Sequence, residues 1–187
     1  MNYCLKNNIF GEKYDTYIKV LYTGLQNKFI LPFTKGILYR GSRIKKAELE
    51  FIKNSLKKKI PDLPGCIFYS KGFFSSTNEI DVCFWYMLNR EKKENEEYVL
   101  YEIEEENEID GKNASNTNVE NISKYYSQKE ILFFPFSSFE INRIEERIYK
   151  NEKYYHIYLS YLGKYKEKID KTEKIPETEF TKYITKT

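Results

Sequence analysis

Apolar positions recur along this chain with two spacings, one close to the helical period and one that alternates. From Lys13 to Gln26, Tyr17, Val20, Leu21 and Gly24 share one helical face, which predicts a helix ending near Gly24 or Asn27. Beyond Pro32, the run GILYRGSRI mixes small, aliphatic and polar residues and predicts a short buried strand from Ile37 to Ser42. KKAELEFIKNSLKKK then sets Leu49, Ile52 and Leu56 on one stripe with lysines around the rest, an amphipathic helix that Pro61 and Pro64 stop. CIFYSKGFFSSTNE reads as a strand region interrupted at Gly72, and Glu79 to Leu88 as a short aromatic-rich helix.

EYVLYEIEE alternates from Tyr98 to Glu104 and predicts a strand with one wet face. NEIDGKNASNTNVE, rich in Asn, Gly, Ser and Asp, predicts a loop. KEILFFPF is a further strand, and FEINRIEERIYKNEKYYHIYLSYL predicts a hairpin turning at Lys150 to Lys153. After Gly163 the chain becomes charged and loses its apolar period. The expected organisation is a single domain over residues 1–163 followed by a charged tail over 164–187. Helices and strands are interspersed without the regular alternation of a doubly wound sheet, so the expected class is α+β.

Composition narrows this picture. The chain has 187 residues, the length of one domain, and its 41% hydrophobic content supplies a core. Aromatic residues make up 17%, mostly Tyr and Phe, which favours sheet over an all-helical bundle. Lys and Arg (31) nearly balance Asp and Glu (28), and a net charge of +3 neither demands nor excludes nucleic acid. Cys4, Cys66 and Cys83 are odd in number without CxxC spacing, and His156 is the single histidine. The expectation is a reducing compartment and no metal. Residues 1–10 lack the apolar run of a signal peptide, and no membrane span is expected.

Three segments put unusual polar residues in strand-like surroundings. Tyr39-Arg40-Gly41-Ser42 has an arginine in an apolar strand, followed by a glycine that lets a backbone or ligand come close. Gly72-Phe73-Phe74-Ser75-Ser76-Thr77 follows two aromatics with three hydroxyls. Ser127-Gln128-Lys129-Glu130-Ile131-Leu132 brings an amide and a carboxylate two residues apart into an aliphatic strand, where both would face one side. Taken singly, each has a plainer explanation: a turn arginine, a helix cap, and the wet start of an edge strand.

Taken in order, the three resemble the arginine-serine-glutamate class of mono-ADP-ribosyltransferases. In that class a strand arginine comes first, as in Leu38-Tyr39-Arg40-Gly41. A Ser-Thr-Ser-like strand follows, here Phe74-Ser75-Ser76-Thr77. A Glu/Gln-x-Glu motif then runs into an aliphatic strand, here Gln128-Lys129-Glu130-Ile131-Leu132, and Pro135-Phe136 and Phe139-Glu140 match its continuation. The resemblance spans roughly Leu25 to Leu162. The chain departs from the commoner pattern at Ser76 and Thr77, and at Gln128, where arginine-specific members carry glutamate. The branch with a strand histidine is not matched, because His156 lies far downstream and reads as a packing residue.

The resemblance implies two small packed β-sheets with an N-terminal helical part and an NAD cleft between the sheets. It implies an NAD+-dependent transferase that moves ADP-ribose to a side chain of a target protein and releases nicotinamide, with NAD+ as substrate. Glu130 would stabilise charge at the ribose, Ser75 would hold that carboxylate, and Arg40 would fork onto phosphate and ribose. Gly41, Ser76 and Thr77 would complete the NAD site, and Phe84, Trp85 or Tyr86 would stack on nicotinamide. Gln128, with Tyr125 and Tyr126 of the loop from Asn113 to Tyr126, would read the acceptor, and an amide points to asparagine, glutamine or a similar group. The alternatives are transfer to guanine in nucleic acid and a non-catalytic interaction module. A monomer is expected, cytoplasmic or delivered into a host cytosol as a toxin, effector or catalytic module.

Overall fold

The computed structural model describes residues 36–57, 66–70, 72–89, 91–105, 116–121 and 126–164, together with Thr23, Gly24, Thr34 and Ser123. In chain order the elements are β1 (Gly36–Lys45), α1 (Lys46–Lys57), β2 (Cys66–Tyr69), β3 (Phe74–Thr77), α2 (Ile80–Leu88), β4 (Glu96–Glu105) and β5 (Asn116–Asn118). A 3-10 turn (Tyr126–Gln128), β6 (Glu130–Phe133), β7 (Ser137–Tyr149) and β8 (Glu152–Lys164) complete them. Helix α1 forms where the stripe was read, burying Leu49 and Ile52 and leaving its lysines outside. The hairpin turns at Lys150 and Asn151, whose φ of 49° and 65° give the two left-handed positions of a tight connection.

The strands order as β2-β7-β8-β4-β1-β3-β6-β5. Within that order β1 pairs β4 along its whole length, from Gly36↔Glu105 to Lys45↔Glu96, whereas β1 meets β3 at Tyr39↔Thr77 alone. The ladder is thus two sheets joined at one pair of residues. They also pack face to face. Phe133 of β6 lies 5.3 Å from Phe139 of β7, although four strands separate the two in the ladder, and Phe74 of β3 lies 5.2 Å from Phe139. Leu38, Val99, Ile103, Ile131, Phe133, Phe139, Ile157 and Leu159 fill the space between, and α1 closes one end with Leu49 and Ile52. The expected α+β class with two packed sheets is what forms.

Two strand readings gain detail. The segment around Gly72 divides: β2 joins β7 at the sheet edge, while β3 pairs with β1 and β6. The strand read with one wet face keeps that face only toward exposed Glu104, its Tyr98 and Leu100 being buried. β4 sits between β8 and β1; its Val99, Tyr101 and Ile103 enter the main core while Tyr98 and Leu100 pack beneath α2 with Cys83, Phe84, Met87 and Tyr154. Tyrosine passes as a polar position in an alternation, yet its ring carries enough apolar area to be buried.

The stretch read as a loop holds the short strand β5, and its buried Asn116 is satisfied by Thr34: the Thr34 N–H donates to Oδ1 at 3.1 Å and Nδ2 donates to the Thr34 carbonyl at 3.1 Å. Residues 106–115, the tail beyond Lys164 and the predicted helix from Lys13 to Gln26, apart from helical Thr23 and Gly24, lie outside the described residues. No described helix is long and apolar enough to cross a membrane.

Phe133 is fully buried and touches Phe74, Phe139 and Tyr161, rings from both sheets. Phe133→Ala should therefore cost about 3–5 kcal/mol in denaturant unfolding. A loss below about 1.5 kcal/mol, the range of mild repacking, would mean that the sheets are not clamped there.

Candidate active site

Arg40 stands on the strand that joins the two sheets, opposite Tyr101 of β4 and one residue from the Tyr39↔Thr77 junction. That junction brings the end of β3 against it. The Arg40 guanidinium donates through Nη1 to the Ser75 carbonyl at 2.7 Å and lies 4.6 Å over the Phe74 ring. Burial pushes its pKa down from the ordinary arginine value, opposed by Tyr101, Cys83 and the Glu130 carboxylate, and a guanidinium keeps its proton through such a shift. A fixed positive charge thus stands at the sheet junction.

The register of β3 on β6 sets Ser75 opposite Leu132 and Thr77 opposite Glu130, so Ser75 and Glu130 are diagonal neighbours on one face. The Ser75 hydroxyl donates to Glu130 Oε1 at 2.7 Å. One residue therefore ties arginine and carboxylate together, its carbonyl accepting from Arg40 and its hydroxyl donating to Glu130. A cavity of about 270 Å³ opens at this point, lined by Tyr39, Arg40, Gly41, Ser75, Gln128 and Glu130, with Ser76, Thr77, Val82, Cys83 and Tyr86 completing the wall.

Gly41 is explained by packing. A Cβ there would stand 2.3 Å from the Cys83 carbonyl oxygen and 3.2 Å from Met87 Cβ, so the glycine lets α2 lie directly on β1 and form one side of the cavity. Burial pushes the Cys83 thiol up to about 12, which keeps it protonated near neutral pH and removes it as a nucleophile.

The other sequence-selected residues divide. The Ser76 hydroxyl donates to the Ile131 carbonyl at 3.0 Å, and Thr77 Oγ1 accepts from the Glu79 N–H at 3.2 Å at the start of α2. Both line the cavity, but these hydroxyl contacts hold strand and helix in place. Gln128 and Glu130 share the cavity for a reason other than strand parity. Gln128 ends the 3-10 turn, β6 begins at Glu130, and Lys129 between them has a φ of 44°. The kink, anchored by Lys129 Nζ on Glu79 Oε1 at 2.6 Å, turns both side chains to the same space.

Phe84 is not brought to this cavity. It is 6% exposed and stacked on Tyr149 at 3.9 Å, beneath α2 and beside a different cleft. Of the three aromatics offered, Tyr86 is the one that lines the site; Trp85 is exposed on the outer side of the helix. Val82, four residues before Tyr86 on α2, and Tyr39 also wall the cavity, and for Val82 helical spacing is the signal that points to it. Tyr125 and the Tyr126 side chain lie outside the described residues. His156 is buried away from the cavity, its Nε2 2.9 Å from Glu102 Oε2 and its ring stacked on Tyr158 at 4.3 Å; burial, opposed by Glu102, holds its pKa below the usual histidine value.

No protein-family model matches the chain, and no curated protein sequence matches it. Solved structures do. The fold is similar to that of Vis toxin, an ADP-ribosyltransferase from Vibrio splendidus, with a TM-score of 0.57, 20% identity and coverage of 86% of this chain and 67% of Vis. It is similar to the ADP-ribosyltransferase HopU1 of Pseudomonas syringae, with a TM-score of 0.59, 17% identity and coverage of 82% and 57%. It is also similar to Plx2a, an ADP-ribosyltransferase toxin from Paenibacillus larvae, with a TM-score of 0.54, 17% identity and coverage of 87% and 78%. In the structures of Vis with agmatine and with an inhibitor, this chain spans 59% and 65% of the length of Vis. The architecture is the ADP-ribosyltransferase fold.

The contact of Gly41 with α2 carries its own test. Gly41→Ala has no room without moving the Cys83 backbone, so it should lower unfolding stability by about 1–3 kcal/mol. An unchanged midpoint in thermal melting would show that α2 does not rest on β1 this closely.

Proposed function

We propose that this protein cleaves NAD+ and transfers its ADP-ribose to a side chain of a target protein, with an amide or similar group as the acceptor. The observation that carries this reading is the Arg40–Ser75–Glu130 chain of two 2.7 Å hydrogen bonds inside one cavity of an ADP-ribosyltransferase fold. The similarity to Vis and Plx2a, both described as toxins, supports action in the cytosol of another cell.

The chemistry follows from the charges. Breaking the bond between ribose C1′ and the nicotinamide nitrogen sends the electron pair to nicotinamide and leaves positive charge on the ribose, as in glycoside hydrolysis. A carboxylate fixed beside that carbon lowers the barrier because it meets charge that develops during the step. Glu130 supplies it, and the Ser75 hydroxyl prevents it from rotating away. Arg40, a planar fork of donors, holds the ribose and phosphate oxygens of the substrate. A cavity of about 270 Å³ is near the lower end for ligand pockets, which suits the nicotinamide-ribose end of NAD+. The acceptor nitrogen then bonds to C1′ and releases a proton.

Gln128 borders this cavity with an amide, which can donate to and accept from an asparagine or glutamine side chain. It carries no charge to pair with a guanidinium. Retention of arginine, serine and glutamate in contact argues against a non-catalytic module, because such a role needs no carboxylate held at a cavity.

Glu130→Gln should lower nicotinamide release by about 10²- to 10³-fold while NAD+ still binds, because the charge is used in the transition state. Retention of more than about a tenth of the rate would remove Glu130 from catalysis. Arg40→Lys should weaken NAD+ binding in calorimetry, since a forked contact becomes a point charge; equal affinity would reduce Arg40 to a structural residue. Gln128→Glu should depress transfer to the native acceptor more than NAD+ hydrolysis and open activity on agmatine, a guanidinium. Equal losses in both would place Gln128 in the NAD+ site.

A further inference from the structure

Resting on the function proposed above, we propose that the Tyr86 hydroxyl is the positioning group for Gln128: it holds the Gln128 amide on the rim between two cavities and so sets which acceptor reaches the ribose. Gln128 is not fixed by the sheet, because it precedes β6 and the left-handed Lys129 separates it from the first strand residue. Its side chain is held by a helix instead. Gln128 Nε2 donates to the Tyr86 hydroxyl on α2. The neighbouring Lys129 is tied to the start of the same helix through its N-cap residue, Glu79. That ion pair fixes Lys129 and does not touch the Gln128 amide. The amide therefore depends on Tyr86 for its orientation.

The surroundings give this orientation a purpose. Val82, Tyr86 and Gln128 line the cavity of about 270 Å³ that holds Arg40 and Glu130, and the same three line a second, more open cavity of about 750 Å³. Asp81, Trp85, Asn89 and Ser127 complete the outer one, with the Trp85 indole exposed. An acceptor entering from the outer cavity meets the amide before it meets Glu130. With one N–H of Nε2 given to Tyr86, the second N–H and the carbonyl oxygen of Gln128 remain for the acceptor, which suits a group that both donates and accepts, such as an asparagine or glutamine amide. The two cavities assign different work to one tyrosine: its ring walls the NAD+ side, and its hydroxyl serves the acceptor side.

Tyr86→Phe separates these, since it keeps the ring and removes the hydroxyl. The assay follows biotin-labelled NAD+ in a eukaryotic cell lysate and compares label incorporated into protein with nicotinamide released. For Tyr86→Phe the ratio should fall about tenfold, the scale of one oriented hydrogen bond. If Tyr86 acts through Gln128, the double variant Tyr86→Phe, Gln128→Ala should be no worse than Gln128→Ala alone. The side-chain amide of Gln128, assigned by its loss in Gln128→Ala, should show a heteronuclear NOE that drops in Tyr86→Phe towards that of a freely rotating amide. An unchanged ratio with nicotinamide release intact, losses that multiply in the double variant, or an unchanged NOE would each overturn the role of Tyr86. A wild-type chain that releases no nicotinamide would instead overturn the proposed function and this specificity role with it.

Discussion

The site depends on one backbone junction. Two sheets of this fold meet through the single pair Tyr39↔Thr77; Arg40 and Ser75 lie within two residues of it, and Glu130 pairs with Thr77. Because the strands diverge on either side of a one-pair joint, the groups flanking it are left without ladder partners across the gap. Arg40 answers one of them by donating to the Ser75 carbonyl, so the guanidinium closes the seam that the sheets leave open. A hydrogen bond to a charged group is among the stronger ones available, about 1.5–3 kcal/mol, and this one also fixes where the charge stands. The seam is at once the weakest part of the sheet and the place where a cavity forms with polar walls.

Ser75 turns that seam into a device. Its carbonyl belongs to the backbone and is held by Arg40; its hydroxyl belongs to the side chain and holds Glu130. Arginine and carboxylate are thereby related through a rigid strand residue without spending their charges on each other in a direct ion pair. A direct ion pair would have left each charge neutralised by the other. Helix α2 supplies the remaining wall, and it can do so only because Gly41 carries no side chain where the Cys83 carbonyl passes. Phe84, stacked on Tyr149 and edge-on to Tyr154, ties the helix to the ends of β7 and β8.

Much of this was legible from residue order. Helix α1 announces itself by its stripe, and the β7–β8 hairpin by its two long apolar runs around Lys150 and Asn151. Arg40, Ser75 and Glu130 were selected by a resemblance of motif order, and the structure places them in contact. What failed did so for physical reasons. Phe84 and Tyr86 are two residues apart on a helix and so face away from each other, yet composition ranks them alike; burial sorts one to the core and the other to the cavity. β4 keeps less of its wet face than the alternation suggests, because tyrosine counts as polar in an alternation and packs as apolar in a core. Gln128 and Glu130 do share one cavity as the spacing predicts, but through the left-handed kink at Lys129 and not through strand parity. A residue with positive φ leaves no mark in apolar periodicity.

The division between Glu130 and Gln128 has a mechanical meaning. Glu130 begins β6, is register-paired with Thr77 and is held by Ser75, so its position is set by the β3–β6 ladder. Gln128, two residues earlier, stands outside the ladder on a 3-10 turn whose ties run to α2. Catalysis by a fixed carboxylate tolerates displacements of only a fraction of an ångström before rate is lost. Recognition of an acceptor requires only that a hydrogen-bonding group be presented at the rim. Under the proposed function, a carboxylate set by the sheet and an amide set by a turn let acceptor choice change through residues of the turn and helix while the carboxylate keeps its place. The kink at Lys129 is the boundary between those two regimes.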